Sequence, residues 1–201
     1  MKKIIALLLV ICCFGMLFAC NNDTPDTGDN DNNNNNTATV ADFTAAIANT
    51  KPSLAIVTTK ITTELGDLNA KFEISYNEDG SAAIVYSYEK FNSIEDGATN
   101  ELKTKYEGTF TRNADGTYTG AEGVDISSVT AGTAIDLSKA TGVTINEKGD
   151  VLTANVAKAD TAAVLGSALS ADAALKIAID GGEVEIIEIT YSNATIVIQY
   201  Q

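Results

Sequence analysis

Histidine and tryptophan are absent from this 201-residue chain, and Arg112 is its only arginine. Without imidazole, a serine or cysteine hydrolase that relies on a histidine base has no base. Zinc, copper and non-haem iron sites built on imidazole or thiolate lack ligands. Planar two-pronged recognition of a phosphate or carboxylate can be built only on Arg112. Cysteine is confined to Cys12, Cys13 and Cys20, so the chain beyond residue 20 has neither disulfide nor thiolate. Positive charge is scarce too. Thirteen Lys and Arg stand against 27 Asp and Glu, a net charge of −14, and such a field repels nucleic acid and an anionic headgroup layer on average. Solubility or a cationic partner would each account for the acidity. No nucleic-acid partner and no cofactor are expected.

What is present begins with Lys2 and Lys3 and an apolar run from Ile4 to Phe18. At about fifteen residues the run is shorter than the roughly 20 that a membrane-spanning helix needs, so it reads as a removable export signal. Its ending, Leu17-Phe18-Ala19-Cys20, resembles the bacterial lipobox. In that family a leucine three residues before the cysteine and a small residue just before it are recognised. The resemblance implies that the Cys20 thiol is acylated and becomes the new N-terminus, anchoring the protein to the outer face of the cytoplasmic membrane or to an outer membrane. An ordinary secretory signal with an incidental cysteine is the alternative. Loss of Lys2 and Lys3 leaves 11 basic against 27 acidic side chains, or −16.

Residues 21–39, NNDTPDTGDNDNNNNNTAT, carry almost no apolar side chain. They cannot offset chain entropy by burial and read as a disordered tether with a root-mean-square span of roughly 24 Å. Asp29, Asp31 and Asn33 have the opening spacing of a calcium loop, but Asn34 and Val40 stand where that loop needs glycine and glutamate. The division expected is a signal peptide over 1–19, the lipidated cysteine and tether over 20–39, and a single domain over 40–201. A domain of that size buries about 70% of its unfolded surface and needs no staple.

Within that domain Val40, Phe43 and Ile47 fall three and four apart, predicting a helix over 40–49 capped by Thr39 and Asp42 and ended before Pro52. The period then becomes two. Strands are predicted over 54–65, 68–76, 81–91 and 102–112, around Tyr118, and over 142–146, 151–157, 173–179, 183–191 and 194–200. Asn77-Glu78-Asp79-Gly80, Asn113-Ala114-Asp115-Gly116 and Asp180-Gly181-Gly182 are turn signals between them. Asp160 caps a brief helix over 161–165 stopped by Gly166. The Ile186-Ile187 doublet breaks the alternation and suggests a bulge or a strand covered on both faces. Residues 120–141, rich in Gly, Ser and Thr, read as a loop holding at most one turn of helix. Tight turns favour antiparallel pairing. The expected fold is α+β: a strongly curved, mainly antiparallel sheet of nine or ten strands, with two short helices on its concave face as the only cover.

Motifs that would carry chemistry are weak. Ser87 and Lys90 have the Ser-x-x-Lys spacing of penicillin-binding enzymes, but a strand points positions i and i+3 to opposite faces. Glu183 and Glu185 alternate with Val184 and Ile186, which makes them a solvent face rather than a glycosidase pair with Glu188. Gly116, Gly120 and Gly123 lack the spacing of a dinucleotide loop. No catalytic residue and no metal ligand is expected.

The tyrosines are more informative. Phe72, Ile74, Tyr76, Tyr86, Tyr88, Tyr106 and Phe110 share the apolar parity of neighbouring strands, so they either line a ligand cavity with polar tips or rim an ordinary core. In strand order and layout, residues 40–201 resemble lipoprotein carriers of the LolA and LppX type, in which a curved antiparallel sheet half-wraps helices. Two functions are expected from different classes. One is a membrane-tethered, non-enzymatic binding module, monomeric, for an apolar or amphipathic small molecule. The other is a structural or interaction lipoprotein with a solid core. An apolar pocket above about 300 Å³ favours the first and a solid interior the second.

Overall fold

The computed structural model describes residues 38–92, 103–132 and 134–201. Alternating parity over most of this length produces ten strands: β1 (Leu54–Thr63), β2 (Gly66–Tyr76), β3 (Ala82–Phe91), β4 (Lys103–Arg112), β5 (Tyr118–Thr119), β6 (Thr141–Ile145), β7 (Val151–Val156), β8 (Ala173–Asp180), β9 (Glu183–Tyr191) and β10 (Ala194–Tyr200). They form one antiparallel sheet in the order β5-β4-β3-β2-β1-β10-β9-β8-β7-β6, not closed into a barrel. Two five-strand meanders therefore meet along a central seam, where Val57 pairs with Ile198 and Thr59 with Ile196. The seam's ladder is extended at one end by the Leu54 N–H donating to Gln201 O and the Gln201 N–H to Leu54 O.

One register row explains why a single face is apolar. Tyr86, Phe72, Val57, Ile198, Ile187, Ile177 and Leu152 lie side by side across seven strands. A slip of one residue anywhere along it would turn that strand's apolar set to water. The opposite face carries exposed ion pairs such as Lys60 with Asp67 at 2.8 Å and Lys105 with Glu107 at 2.6 Å. Pairs this exposed contribute little to stability.

Helix α1 (Val40–Asn49) lays Phe43 and Ala46 on the apolar face over β8 and β9. Its start is fixed as the sequence predicts: Asp42 Oδ2 accepts from the Thr39 N–H at 2.7 Å and from Thr39 Oγ1 at 2.9 Å. Those bonds hold the Asp42 carboxyl below its ordinary range, the backbone one foremost. At the other end, Thr50 Oγ1 donates to Ala46 O at 2.7 Å and accepts from the Val184 N–H at 2.8 Å. That N–H lies beside a bulge: Ile179 faces Val184 while Ala178 faces Ile186, leaving Glu185 over. The break in alternation is thus a bulge, one residue before the isoleucine doublet, and it lets Val184 and Ile187 both point into the core.

The cover of the apolar face differs from expectation. Because β5 and β6 occupy opposite edges, residues 120–140 must travel the width of the sheet, about nine spacings of ~4.8 Å. Instead of a surface loop, this crossover buries Val129, Ala131 and Leu137 in the core. It contains helix α2 (Ser127–Thr130) and a 3-10 turn (Leu137–Lys139), so among the described residues there are three α-helical segments rather than two. The third, α3 (Thr161–Leu165), receives the crossover: the Gly132 N–H donates to Leu165 O at 2.7 Å and the Asp136 N–H to Val164 O at 2.9 Å. Gly132 sits at φ +79°, and a Cβ there would come within 2.4 Å of Ile198 Cδ1, so only glycine lets the crossover press this close to the sheet. Helices alone were too few to cover ten strands, and the crossover supplies what they lack.

Candidate functional site

On the N-terminal meander the apolar parity is filled largely by rings. Phe110 of β4 packs edge-on to Tyr118 of β5 with centroids 5.8 Å apart, and lies 5.8 Å from Tyr86 of β3 and 6.4 Å from Phe72 of β2. From Tyr86 the series continues by stacking, at 5.8 Å to Tyr88 and 5.1 Å to Tyr106. Lys90 ends it, its Nζ 5.3 Å from the Tyr88 centroid and 5.7 Å from that of Tyr106. Gly108 makes the series possible, since the Tyr86 ring lies across it and a Cβ would meet Tyr86 Oη at 2.6 Å. The series runs from fully buried Phe72 to Tyr106, which is 43% exposed.

Toward the opposite end of the same strands lies a cavity of about 230 Å³ between α1, the crossover and the sheet. Its walls are apolar: Ile74 and Ile84 from β2 and β3, Ile187 from β9, Ile47 from α1 and Val129 from α2. Its polar lining comes largely from four strands, with Tyr76, Arg112, Tyr118 and Tyr200 at the ends of β2, β4, β5 and β10. Parity explains the shared lining: Tyr76 faces Ala82, which faces Arg112, which faces Tyr118.

These groups sense one another. Burial raises the Tyr76 phenol above its ordinary value, with Arg112 pulling it down and Tyr118 pushing it up by smaller amounts. Burial also pushes Tyr200 strongly upward, reinforced by Tyr76. Raised in this way, Tyr76 and Tyr200 stay neutral hydroxyl donors at physiological pH. Arg112 donates once, from Nη1 to Gly80 O at 3.0 Å, and pairs with no carboxylate among the described residues. Gly80 is held in turn by the β2–β3 turn, in which its N–H donates to Asn77 O at 3.1 Å and Asp79 Oδ1 accepts from the Ser81 N–H at 2.9 Å. The guanidinium is therefore placed by a rigid turn while most of its donors stay uncommitted. The cavity shares Thr50, Pro52, Val184 and Tyr200 with a neighbouring surface recess of about 380 Å³.

Of the residues singled out from the sequence, Ile74 and Tyr76 line this cavity. Phe72 and Tyr88 line a separate recess of about 140 Å³ under the crossover, next to Thr59, whose buried Oγ1 has no hydrogen-bond partner among the described residues. Tyr86 and Phe110 are built into the ring series, and Tyr106 opens to solvent. Cys20, Leu17, Phe18 and Ala19 lie outside the described residues, as do residues 21–37 of the tether. Arg112, Tyr118 and Tyr200 were not among the candidates. The signal for two of them was available: Arg112 has the parity of Phe110, and Tyr200 that of Ile196 and Ile198. Ser87 pairs across the polar face with Lys71 and Glu107, whereas Lys90 caps the rings on the apolar face, so the Ser-x-x-Lys pair is split by the sheet. Glu183 and Glu185 are exposed, and Glu188 lies 4.0 Å from Lys176.

No protein-family model matches this chain, and no curated protein matches it. Among solved structures it is similar to the crystal structure of LprF from Mycobacterium bovis, at 10% sequence identity and a TM-score of 0.42 over 80% of this chain and 90% of that one. So loose a superposition leaves function to be read from the chain's own residues.

Proposed function

We propose that this protein is an exported lipoprotein, anchored to a bacterial membrane through lipid on Cys20, whose domain is a non-enzymatic binding module for a small apolar or amphipathic molecule. The observation that carries the reading is the 230 Å³ cavity with isoleucine walls and a tyrosine and arginine rim, adjoining a surface recess beside α1. At about 230 Å³ it falls short of the roughly 300 Å³ at which volume by itself favours a ligand, so the reading rests on the lining, and the ligand is small. The lack of imidazole and thiol in the domain argues against nucleophilic or metal-assisted turnover. A second reading, an interaction lipoprotein without a ligand, draws support from the filled interior of the C-terminal meander and from the exposed ring of Tyr106.

Native mass spectrometry of the protein purified from its own host separates the two. A small molecule that leaves on denaturation supports the binding module; a bare mass in every preparation, with no thermal shift on adding back host small-molecule extract, supports the interaction reading. The anchor is tested apart: labelled palmitate is expected to enter the wild type and not Cys20→Ser.

A further inference from the structure

We infer that the cavity takes a small amphipathic anion, a single-chain monocarboxylate of about eight carbons, with its carboxylate on Arg112 and the Tyr76, Tyr118 and Tyr200 hydroxyls and its chain against Ile74 and Ile187. This rests on the binding-module reading and adds the chemical class of the ligand. Charge selects the head group. Arg112 is the only charged side chain lining the cavity, and no carboxylate lines it among the described residues. A guanidinium offers five donors in a planar fork, and one is committed here, to Gly80 O. The three phenols add hydroxyl donors that no described residue accepts, so four donor-bearing side chains from four strands line one cavity. An alcohol or amine head could use few of these and would leave the guanidinium desolvated without a counter-charge, which is costly.

Volume selects the tail. About 230 Å³ at roughly 30 Å³ per small heavy-atom group holds on the order of eight such groups, enough for the chain carbons of an octanoate whose carboxylate sits at the arginine and tyrosine rim. A diacyl lipid is far too large. Asp180, Glu183 and Glu185 line the neighbouring recess together with Lys51 and do not line the cavity. The sole arginine in the chain also provides a reporter, since its Nε–H gives one resonance in the ¹⁵N-labelled protein.

The test titrates the full-length, ¹⁵N-labelled protein in non-ionic detergent with octanoate, octan-1-ol and octylammonium, following the arginine Nε–H resonance and the thermal midpoint. Octanoate is expected to move the resonance saturably and raise the midpoint, and the other two to bind at least about tenfold more weakly, the discrimination of one charge-assisted hydrogen bond. Arg112→Gln is expected to remove the preference for octanoate, while Tyr106→Ala, outside the cavity, leaves it intact. Should Arg112→Gln fail to fold, the selectivity of the wild type decides alone. Octan-1-ol or octylammonium matching octanoate in the wild type, or a preference that survives Arg112→Gln, overturns the anionic ligand and leaves the binding module standing. If none of the three raises the midpoint, the eight-carbon ligand is overturned, and the native mass spectrum decides whether the binding module falls with it.

Discussion

The two meanders use one pairing scheme and fill it with different chemistry. From β6 to β10 the inward parity is aliphatic: Leu152, Leu175, Ile177, Ile187 and Ile189 are all essentially inaccessible, roofed by α1, α3 and the crossover. From β2 to β5 it is aromatic, grading from buried Phe72 and Phe110 to half-buried Tyr86 and Tyr88 and exposed Tyr106. Branched aliphatic chains interdigitate to crystal-like density. Rings with hydroxyls need one end wet, so they leave edges and gaps. The difference teaches where function has room: the aliphatic half holds the fold together, and the cavity opens where the aromatic half with its arginine meets Val184, Ile187 and Tyr200 of the aliphatic one.

The largest test of that contrast is truncation on each side. Ile189→Ala, at a fully buried site flanked by Ile196 and Leu175, is expected to cost about 3 to 4 kcal/mol in urea unfolding, against under about 1 kcal/mol for Tyr106→Ala. Equal losses would break the comparison. Next comes Gly132→Ala, which both strains a positive φ and drives a methyl into Ile198; a loss of roughly 2 kcal/mol is expected, and a neutral result would show that the crossover is not pressed onto the sheet. Gly108→Ala on the aromatic side meets a half-buried tyrosine that can yield toward solvent. A smaller loss, about 1 kcal/mol, should come with a changed near-ultraviolet circular dichroism signal as Tyr86 leaves its stack.

Alkaline titration probes the cavity where the two halves meet, since it takes one raised phenol from each, Tyr76 on β2 and Tyr200 on β10. Tyr76 and Tyr200 have phenols raised by burial, so the folded state favours their protonated forms. Their contribution is complete below the ordinary phenol value of about 10 and is lost as pH rises from there through their higher folded values. Stability measured between pH 9 and 11 should fall, and Tyr200→Phe should flatten the fall. At the seam, finally, Thr59→Val replaces a buried hydroxyl that has no described partner, and equilibrium unfolding should register no loss or a gain of up to about 1 kcal/mol. A clear loss would mean that the hydroxyl is bonded in solution.

Local order was readable because local chemistry sets it. The β2–β3 and β4–β5 turns follow one recipe, an Asn whose carbonyl accepts from a Gly three residues on and an Asp that holds the next N–H. Asn77 with Asp79 and Asn113 with Asp115 show it at matching distances. Strand limits set by such turns and by parity fall within two residues of those predicted. The crossover was not readable. Its Gly, Ser and Thr resemble a surface loop, and the burial of Val129 and Ala131 follows only from strands β5 and β6 lying at opposite edges. The cavity escaped for a related reason: Tyr76, Arg112, Tyr118 and Tyr200 are scattered along the chain, and each taken alone ends a strand like any other.

The chain's own residues determined which segments are strands, where they turn, which side chains share a face, and that imidazole and thiol chemistry is denied to the domain. Those properties depend on parity, on turn geometry and on composition, all of which act over a few residues or over the whole count. The tertiary structure alone decided that β1 meets β10, that a polar-looking segment roofs the sheet, and that one arginine and three tyrosines surround a common space. Contacts between distant segments reward the chain only after the entropy of closing long loops has been overcome, and no short window of sequence records which closure prevails.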